Sequence, residues 1–112
     1  MSLTGDLLRG HTEAIILFQL LKSDGYGYEI SKKVADLSGG FLVLKEATLY
    51  TAFRRLEESG QISSYWGEGD GARRRYYTIT DIGKAKCKEI KSEWIQTKSV
   101  LDTLIKESSY DN

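Results

Sequence analysis

One segment of this 112-residue chain changes its periodicity halfway along: EATLYTAFRRLEESGQISSYWGEGDGARRRYYTIT, residues 46–80. In its first part, Leu49, Phe53 and Leu56 recur at four- and three-residue steps. That spacing places the three side chains on one side of a helix. We therefore predict a helix over 47–59 that buries these residues and ends at a glycine in the C-terminal cap position.

The second part of the segment alternates with a period of two. Two aromatic-rich runs, 62–66 and 73–79, lie on either side of a loop at 67–71 that contains three glycines. Alternation around a Gly/Asp loop is typical of a β-hairpin, and we predict such a hairpin, the wing, over about 62–79. The spaced glycines are not a dinucleotide-binding loop, because such a loop opens a helix that holds the pyrophosphate, whereas an arginine-rich strand follows here.

The neighbouring segments complete an order of three helices and a hairpin. The apolar run 7–22 predicts a mostly buried helix, and 28–37 predicts a one-faced helix. Thr80-Asp81 predicts the cap of a last helix that ends near residue 106. The predicted fold class is mainly α with a small β-hairpin: a winged helix-turn-helix plus a C-terminal dimerisation helix.

The domain organisation follows from that order. We predict a winged helix-turn-helix DNA-binding domain over 1–79, a dimerisation helix over 80–108 and a disordered tail at 109–112. No apolar run approaches the roughly 20 residues that a membrane span needs, so no membrane partner is expected.

Composition excludes several classes of function. The 16 Lys and Arg balance the 16 Asp and Glu, and a net charge of zero argues against a protein that coats nucleic acid through bulk charge. One histidine and one cysteine provide no Cys/His metal set and no disulfide within the chain. The lone Cys87 fits a reducing compartment, which predicts a cytoplasmic protein. The acids form no pair beside a recognisable base, so we expect no enzyme, no cofactor and no metal.

The third predicted helix leaves a polar face exposed. With its apolar residues inward, Thr48, Thr51, Arg54 and Arg55 point outward and Tyr50 lies at the flank. Threonine and arginine read base edges in the major groove, and the second helix of a helix-turn-helix does this reading. The alternative is a solvated face whose arginines pair with nearby acids.

The wing adds a second group of cations. Arg73, Arg74 and Arg75 are consecutive, so their side chains alternate between the two faces of a strand. Such a cluster suits phosphate oxygens or a narrow minor groove. The alternative is a solvated turn neutralised by Glu68 and Asp70. Two arginine clusters on adjacent elements favour DNA binding.

The last predicted helix carries an apolar seam at alternating three- and four-residue steps. The seam consists of Cys87, Ile90, Trp94, Thr97, Leu101, Leu104 and Ser108. Its a/d spacing over about three heptads suits a dimer arm. We predict a homodimer interface at Ile90, Trp94, Leu101 and Leu104, with two DNA half-sites about one helical turn, roughly 34–36 Å, apart. Trp94 has two interpretations: an aromatic buried in the seam, or a platform for a planar ligand.

Several motifs match one family when they are taken in order. They are Gly27-Tyr28-Glu29-Ile30, Glu46-Ala47-Thr48-Leu49-Tyr50, Arg54-Arg55-Leu56-Glu57 and Arg74-Arg75-Tyr76-Tyr77-Thr78-Ile79-Thr80 with Gly83. As a set they resemble the PadR family of transcriptional regulators over nearly the whole chain. The resemblance implies a dimeric winged-helix repressor that binds a two-fold operator and responds to phenolic acids, drugs or other stress signals. Many members have a proline where Ala72 stands, and we expect the loss of its fixed φ to loosen the wing tip.

Within the family, the chain is most similar to multidrug-responsive repressors of efflux genes with a single terminal helix. This resemblance implies a ligand pocket between subunits with Trp94, Leu7 and Ala14 in its lining. Lys98 lies one turn beyond Trp94, where an acid would favour cationic drugs, so the charge preference of the ligand stays open.

Two functions remain at this point. The first is a ligand-responsive repressor whose partners are a double-stranded DNA operator, a second copy of the chain and a small planar effector. The second is a winged-helix adaptor that binds an acidic protein and reads no DNA; the zero net charge keeps it open.

Overall fold

The computed structural model describes residues 3–106, which form five helices and three strands. In chain order the elements are α1 (Leu3–Arg9), α2 (Thr12–Lys22), β1 (Gly25–Tyr26), α3 (Gly27–Leu37), α4 (Glu46–Glu58), β2 (Ile62–Gly69), β3 (Ala72–Ile79) and α5 (Asp81–Lys106). The predicted fold class is confirmed: a mainly helical chain with a winged helix-turn-helix, followed by one long helix. Ser108 of the predicted seam and the predicted tail at 109–112 lie outside the described residues.

The core joins α2, α3 and α4 to the sheet. Ile16, Val34 and Phe53, one from each helix, are at most 3% exposed. The ring of Phe53 stacks on that of Tyr77 in β3, with centroids 3.8 Å apart. The helix predicted to read DNA is therefore packed rigidly against both the other helices and the wing.

The predicted single helix over 7–22 is wrong, because the structure divides it at Gly10 and His11 into α1 and α2. Glycine is among the least favourable residues in a helix interior. The hydroxyl of Thr12 also donates to the carbonyl of Arg9 at 2.8 Å, a local bond that competes with a continuous helix. The break gives α2 its own first turn, which faces α4.

The sheet has a third strand that was not predicted from the sequence. β1 pairs antiparallel with β3, placing Gly25 opposite Tyr77 and Tyr26 opposite Tyr76, so the strand order is β1-β3-β2. A two-residue strand is too short to show alternation, and it forms because β3 offers it a free edge. The predicted two-stranded hairpin is therefore the larger part of a three-stranded sheet.

The predicted five-residue loop at 67–71 is also wrong, because the turn is only Asp70-Gly71. Both residues have positive φ, 53° and 75°, which is the pattern of the tight hairpin turn that matches the twist of the strands. Gly67 lies inside β2 for a different reason. A Cβ on it would lie 2.8 Å from the ring of Tyr76, so only glycine leaves room for that ring.

The last helix, α5, begins at Asp81, directly after Thr80, which caps it as predicted. The Thr80 hydroxyl accepts a hydrogen bond from the Gly83 backbone N–H at 3.1 Å and donates one to the Gly60 carbonyl at 2.6 Å. The start of α5 is thus tied to the end of α4, whose cap is Gly60 with a φ of 75°. Among the described residues, no helix is both long enough and apolar enough to cross a bilayer.

Candidate nucleic-acid interface

Helix α4 has one buried face and three polar sectors. Its buried residues are Leu49, Ala52, Phe53 and Leu56. Opposite them, helical geometry places Ala47, Thr51, Arg54 and Glu58. One flank, with Thr48 and Arg55, faces α2. On the other flank Glu57 contacts the wing, and Tyr50 lies beside Gly27 at the start of α3. We call the sector around Thr51 and Arg54 the reading face. Arg54 is exposed and makes no hydrogen bond or ion pair with any residue between 3 and 106.

On one side of the reading face, an ion pair joins α4 to α2. Nη1 of Arg55 lies 3.5 Å from Oε2 of Glu13, in the first turn of α2. A cleft of about 670 Å³ opens beside this pair. It is lined from α4 by Thr48, Thr51 and Arg55, and from the α1–α2 junction by Arg9, His11 and Glu13. The hydroxyls and the guanidinium of α4 therefore share one groove.

On the other side, an acid of α4 holds the wing. Nη2 of Arg75 donates to Glu57 at 3.2 Å and 3.3 Å, and Oγ of Ser64 donates to the same carboxylate at 2.9 Å. The Arg75 guanidinium also lies 5.7 Å from the centroid of Tyr77. Arg75 is thereby directed along the surface between the wing and α4.

The other two wing arginines lie over aromatic rings. Arg73 lies on the same face of β3 as Arg75 and sits 4.9 Å from the ring centroid of the exposed Trp66. Arg74 lies on the opposite face, 4.6 Å from the centroid of Tyr26, and donates to the Gly69 carbonyl at 2.8 Å. Arg73 and Arg75 therefore belong to the surface next to α4. Arg74 lies on the opposite face of the sheet and hydrogen-bonds to Gly69 beside the hairpin turn.

A second cavity, of about 510 Å³, lies between α2 and α5. Its lining is Leu8, His11, Ala14, Ile15, Phe18, Gln19, Ile90, Lys91 and Trp94. The rings of His11 and Trp94 meet edge to face, with centroids 5.8 Å apart. Two of the residues proposed for a ligand pocket, Ala14 and Trp94, thus lie together.

The other two proposed ligand residues lie elsewhere. Leu7 is exposed and outside the cavity lining, where its neighbour Leu8 is found instead. The Lys98 ammonium donates to Asp102 at 3.0 Å on the surface of α5, and this bond lowers the pKa of the Asp102 carboxyl. His11 was missed, although its spacing of seven from Phe18 is a helical signal that could have indicated a shared face.

The predicted seam of α5 is buried at its start and exposed from Trp94 onwards. Cys87 is buried, and desolvation by that burial raises the pKa of its thiol. Ile90 is half-buried, Trp94 is 48% exposed, and Leu101 and Leu104 are 45% and 67% exposed. The first part of the seam thus packs against the rest of the chain, and the second part projects an apolar face into solvent.

The described residues contain no cluster of three or more histidine, cysteine, aspartate or glutamate side chains that could hold a metal ion. The polar groups of the two clefts are arginines, hydroxyls, one imidazole, one lysine, the Gln19 amide and the Glu13 carboxylate. The cations and hydroxyls among them are groups that bind phosphates and base edges.

Comparison with known proteins identifies relatives along most of the chain. The profile described as the transcriptional regulator PadR-like family matches residues 16–89. A transcriptional regulator from Clostridium thermocellum has 46% identity and a TM-score of 0.79, covering 88% of this chain and 96% of that one. A PadR family transcription regulator from Clostridium difficile has 37% identity and a TM-score of 0.78, covering 85% and 98%. An uncharacterized protein of Lysinibacillus sphaericus is 44% identical over 98 residues, 87% of this chain and 90% of its own.

Proposed function

We propose that this chain, which belongs to the PadR-like family of transcriptional regulators, is a sequence-specific repressor that binds a two-fold operator as a homodimer and responds to a planar effector. The observation that carries the proposal is the surface formed by the reading face of α4 and the adjacent face of the wing. Thr51 and Arg54 face outward between the flank that holds Arg55 and the wing face that holds Arg73 and Arg75.

The chemistry of this surface matches duplex DNA. A helix fits the major groove, where arginine binds guanine edges and threonine contacts bases or methyl groups. The wing arginines beside it suit the flanking phosphates or the minor groove. Phe53 stacked on Tyr77 holds α4 and the wing in a fixed relation, so both can engage one stretch of DNA without rearrangement.

A second copy of the chain is proposed to cover the exposed part of the α5 seam. Trp94, Leu101 and Leu104 are largely solvent-exposed large apolar residues on one side of a helix, and a/d spacing is the pattern that pairs two helices. A two-fold pairing would bring two reading faces to one side of a duplex. Each monomer has no net charge, so a single monomer is expected to bind DNA weakly. Linking two DNA-binding surfaces in a dimer strengthens that binding.

The cavity between α2 and α5 is proposed as the effector site. Its volume falls within the usual 300–1,000 Å³ of small-molecule pockets, and its lining is mostly apolar with the flat ring of Trp94 at one wall. His11 directly precedes α2, and Ala14 lies in the first turn of α2 with Glu13, which pairs with Arg55 on α4. An effector that moves this turn would change the position of α4, and by linkage DNA would change the affinity for the effector equally.

DNA selection followed by titration tests the DNA-binding proposal. Duplexes bound by the wild-type protein are selected from a randomised pool, and fluorescence anisotropy then measures affinity at several salt concentrations. Changing Arg54, Arg73 or Arg75 to alanine is expected to reduce the salt slope by about one per lost phosphate contact in each subunit, or to relax specificity where the contact is to a base. Lys88→Ala, an exposed cation on α5, is the control.

Two outcomes would contradict the proposal. The first is a wild-type protein that selects no sequence from the pool. The second is a set of arginine variants whose affinity and salt slope match those of Lys88→Ala; an acidic protein partner for the same arginines would then be favoured.

The effector proposal has its own measurement. In a Trp66→Phe protein the remaining indole is Trp94, and its fluorescence is titrated with a panel of planar aromatic compounds of positive, negative and zero charge. Saturable quenching that His11→Ala weakens is expected, because the two rings are in contact. Absence of saturable quenching across the panel would contradict an effector site at Trp94.

A further inference from the structure

Two acids enclose the reading face, one on each side. Glu13 of α2 pairs with Arg55, and Glu57 of α4 pairs with Arg75. Both guanidinium groups belong to the proposed DNA surface, and their side chains are still 65% and 48% exposed. Two of the three arginines at the edge of the surface, Arg55 and Arg75, therefore already pair with a carboxylate. Arg73 lies over Trp66, and Arg54 shares its sector of α4 with Glu58; neither arginine forms an ion pair with a described residue.

Stability does not explain these acids. Ion pairs between partly exposed side chains contribute little to the free energy of folding, because solvent screens the charges and both side chains lose freedom. The contacts that join the same elements are apolar and buried, such as the stack of Phe53 on Tyr77. The main effect of these acids is therefore expected on the electrostatic attraction between the arginines and DNA, not on folding.

Non-specific DNA binding comes almost entirely from neutralised phosphates. A carboxylate next to an arginine repels the approaching phosphate and competes with it for the same N–H donors. Binding to the correct sequence differs, because base contacts made at the centre of the reading face add to the phosphate contacts. A penalty on the edge arginines by itself weakens binding to every DNA sequence alike, so the preference for the correct sequence depends on what the same ion pairs do in the cognate complex.

We propose that Glu13 and Glu57 are specificity-determining residues, which suppress binding to non-cognate DNA by masking Arg55 and Arg75. The inference rests on the proposed DNA-binding function. In the complex with the correct sequence the hydrogen bonds from Arg75 to Glu57 hold that guanidinium in a fixed direction, since a charge-assisted hydrogen bond orients both partners. The Glu13 carboxylate, 3.5 Å from the Arg55 guanidinium, favours one direction of that side chain through charge alone. Removal of either acid frees an arginine for any phosphate and loses that orientation, so the preference for the correct sequence falls.

The test compares Glu13→Gln and Glu57→Gln with the wild-type protein on two duplexes. One duplex has a random sequence, and the other is the sequence that the wild-type protein selects from a randomised pool. Glutamine has the shape of glutamate and keeps an acceptor oxygen for Ser64 or the arginine, so the change is mainly one of charge. Glu89→Gln is the matched control, because Glu89 also forms an exposed ion pair, with Lys86 at 3.4 Å, but on α5.

We expect each glutamine variant to bind the random duplex about threefold more tightly per subunit, as a unit charge about 6 Å from a phosphate in a water-like dielectric predicts. The salt slope should become steeper by about 0.9 per subunit for each arginine released. Affinity for the selected duplex should rise less than affinity for the random duplex. Glu89→Gln should behave as wild type.

Three results would overturn the inference while the proposed function stands: an unchanged affinity and slope on the random duplex, an equal gain on both duplexes, or the same gain from Glu89→Gln. A wild-type protein that selects no sequence would overturn the proposed function itself. Thermal unfolding of each variant is measured first. If Glu57→Gln lowers the melting temperature because the wing is loosened, the DNA affinities of Glu13→Gln alone test the inference.

Discussion

Truncation of two leucines on α5 is expected to dissociate the proposed dimer. Leu101 and Leu104 are 45% and 67% exposed in the subunit, so much of their apolar surface remains for a partner to bury. Leu101→Ala/Leu104→Ala removes that surface and leaves the helix intact, because alanine has the highest helix propensity. The remaining area can thus be converted into an expected loss of association energy.

The expected loss is large. Full burial of a leucine side chain is worth about 1.5–3 kcal/mol, so the fractions still exposed correspond to about 1.7–3.4 kcal/mol for the two residues in one subunit. A two-fold interface contains each residue twice, which gives about 3.4–6.8 kcal/mol per dimer. The dimer dissociation constant should therefore rise by a factor of about 300 to about 10⁵.

Analytical ultracentrifugation over a range of concentrations measures this change. Ile95→Ala is the control: Ile95 is 62% exposed on the same helix but lies on the side away from the seam, so its loss should leave the dimer unchanged. A wild-type protein that is monomeric at micromolar concentration would refute the reasoning. So would equal weakening by the control and the double variant.

Three further predictions concern the subunit itself. Gly83→Ala should lower the melting temperature by several degrees, which corresponds to a loss of about 1–3 kcal/mol or more in the free energy of unfolding. The reason is that a Cβ at this position would collide with the Gln61 carbonyl and lie 2.6 Å from Cγ1 of Ile79. A melting curve like that of the wild-type protein would contradict this packing. Cys87 should resist iodoacetamide until the protein unfolds, because it is 2% exposed and burial raises its pKa; rapid alkylation of the native protein would show otherwise. Burial also raises the pKa of Tyr77, against an opposing effect of Arg75, so the stability that this residue contributes is present below about pH 10 and lost as the pH rises further. Tyr77→Phe should flatten the fall in denaturant midpoint above about pH 10, and an unchanged fall would contradict the assignment.

The sequence predicted those parts of the fold that have a long, regular signal. Leu49, Phe53 and Leu56 repeat over a whole helix, and all three are buried in α4. Thr80 and Gly60 cap their helices as their residue types indicate. These features depend on local spacing and local backbone chemistry, which a sequence displays directly.

The parts that escaped prediction depend on contacts between distant residues. β1 exists because β3 offers an edge, and no pattern within Gly25-Tyr26 indicates it. Gly67 suggested a loop because glycine is common in loops, but its real role is to accommodate the ring of Tyr76 across the hairpin.

At the candidate site, the outward residues of α4 could be predicted from helical periodicity, but their ion pairs could not. Glu13 and Arg55 are 42 positions apart, and the acid meets the arginine only because α2 packs beside α4. The division of the wing arginines between two faces was foreseen from strand alternation. Their individual partners, such as Trp66 and Tyr26, required the register of the sheet.

Cleavage of bound DNA by a single attached iron chelate tests most directly whether α4 and the wing face the operator. The chelate is attached through Ala47→Cys at the start of α4, through Ala72→Cys at the wing tip, or through Lys88→Cys on α5, while the buried native thiol of Cys87 stays unmodified. We expect cuts from position 47 inside two half-sites about one helical turn apart, cuts from position 72 at their edges, and none from position 88. Cuts from position 88 that equal or exceed those from position 47 would contradict the placement of α4 in the groove.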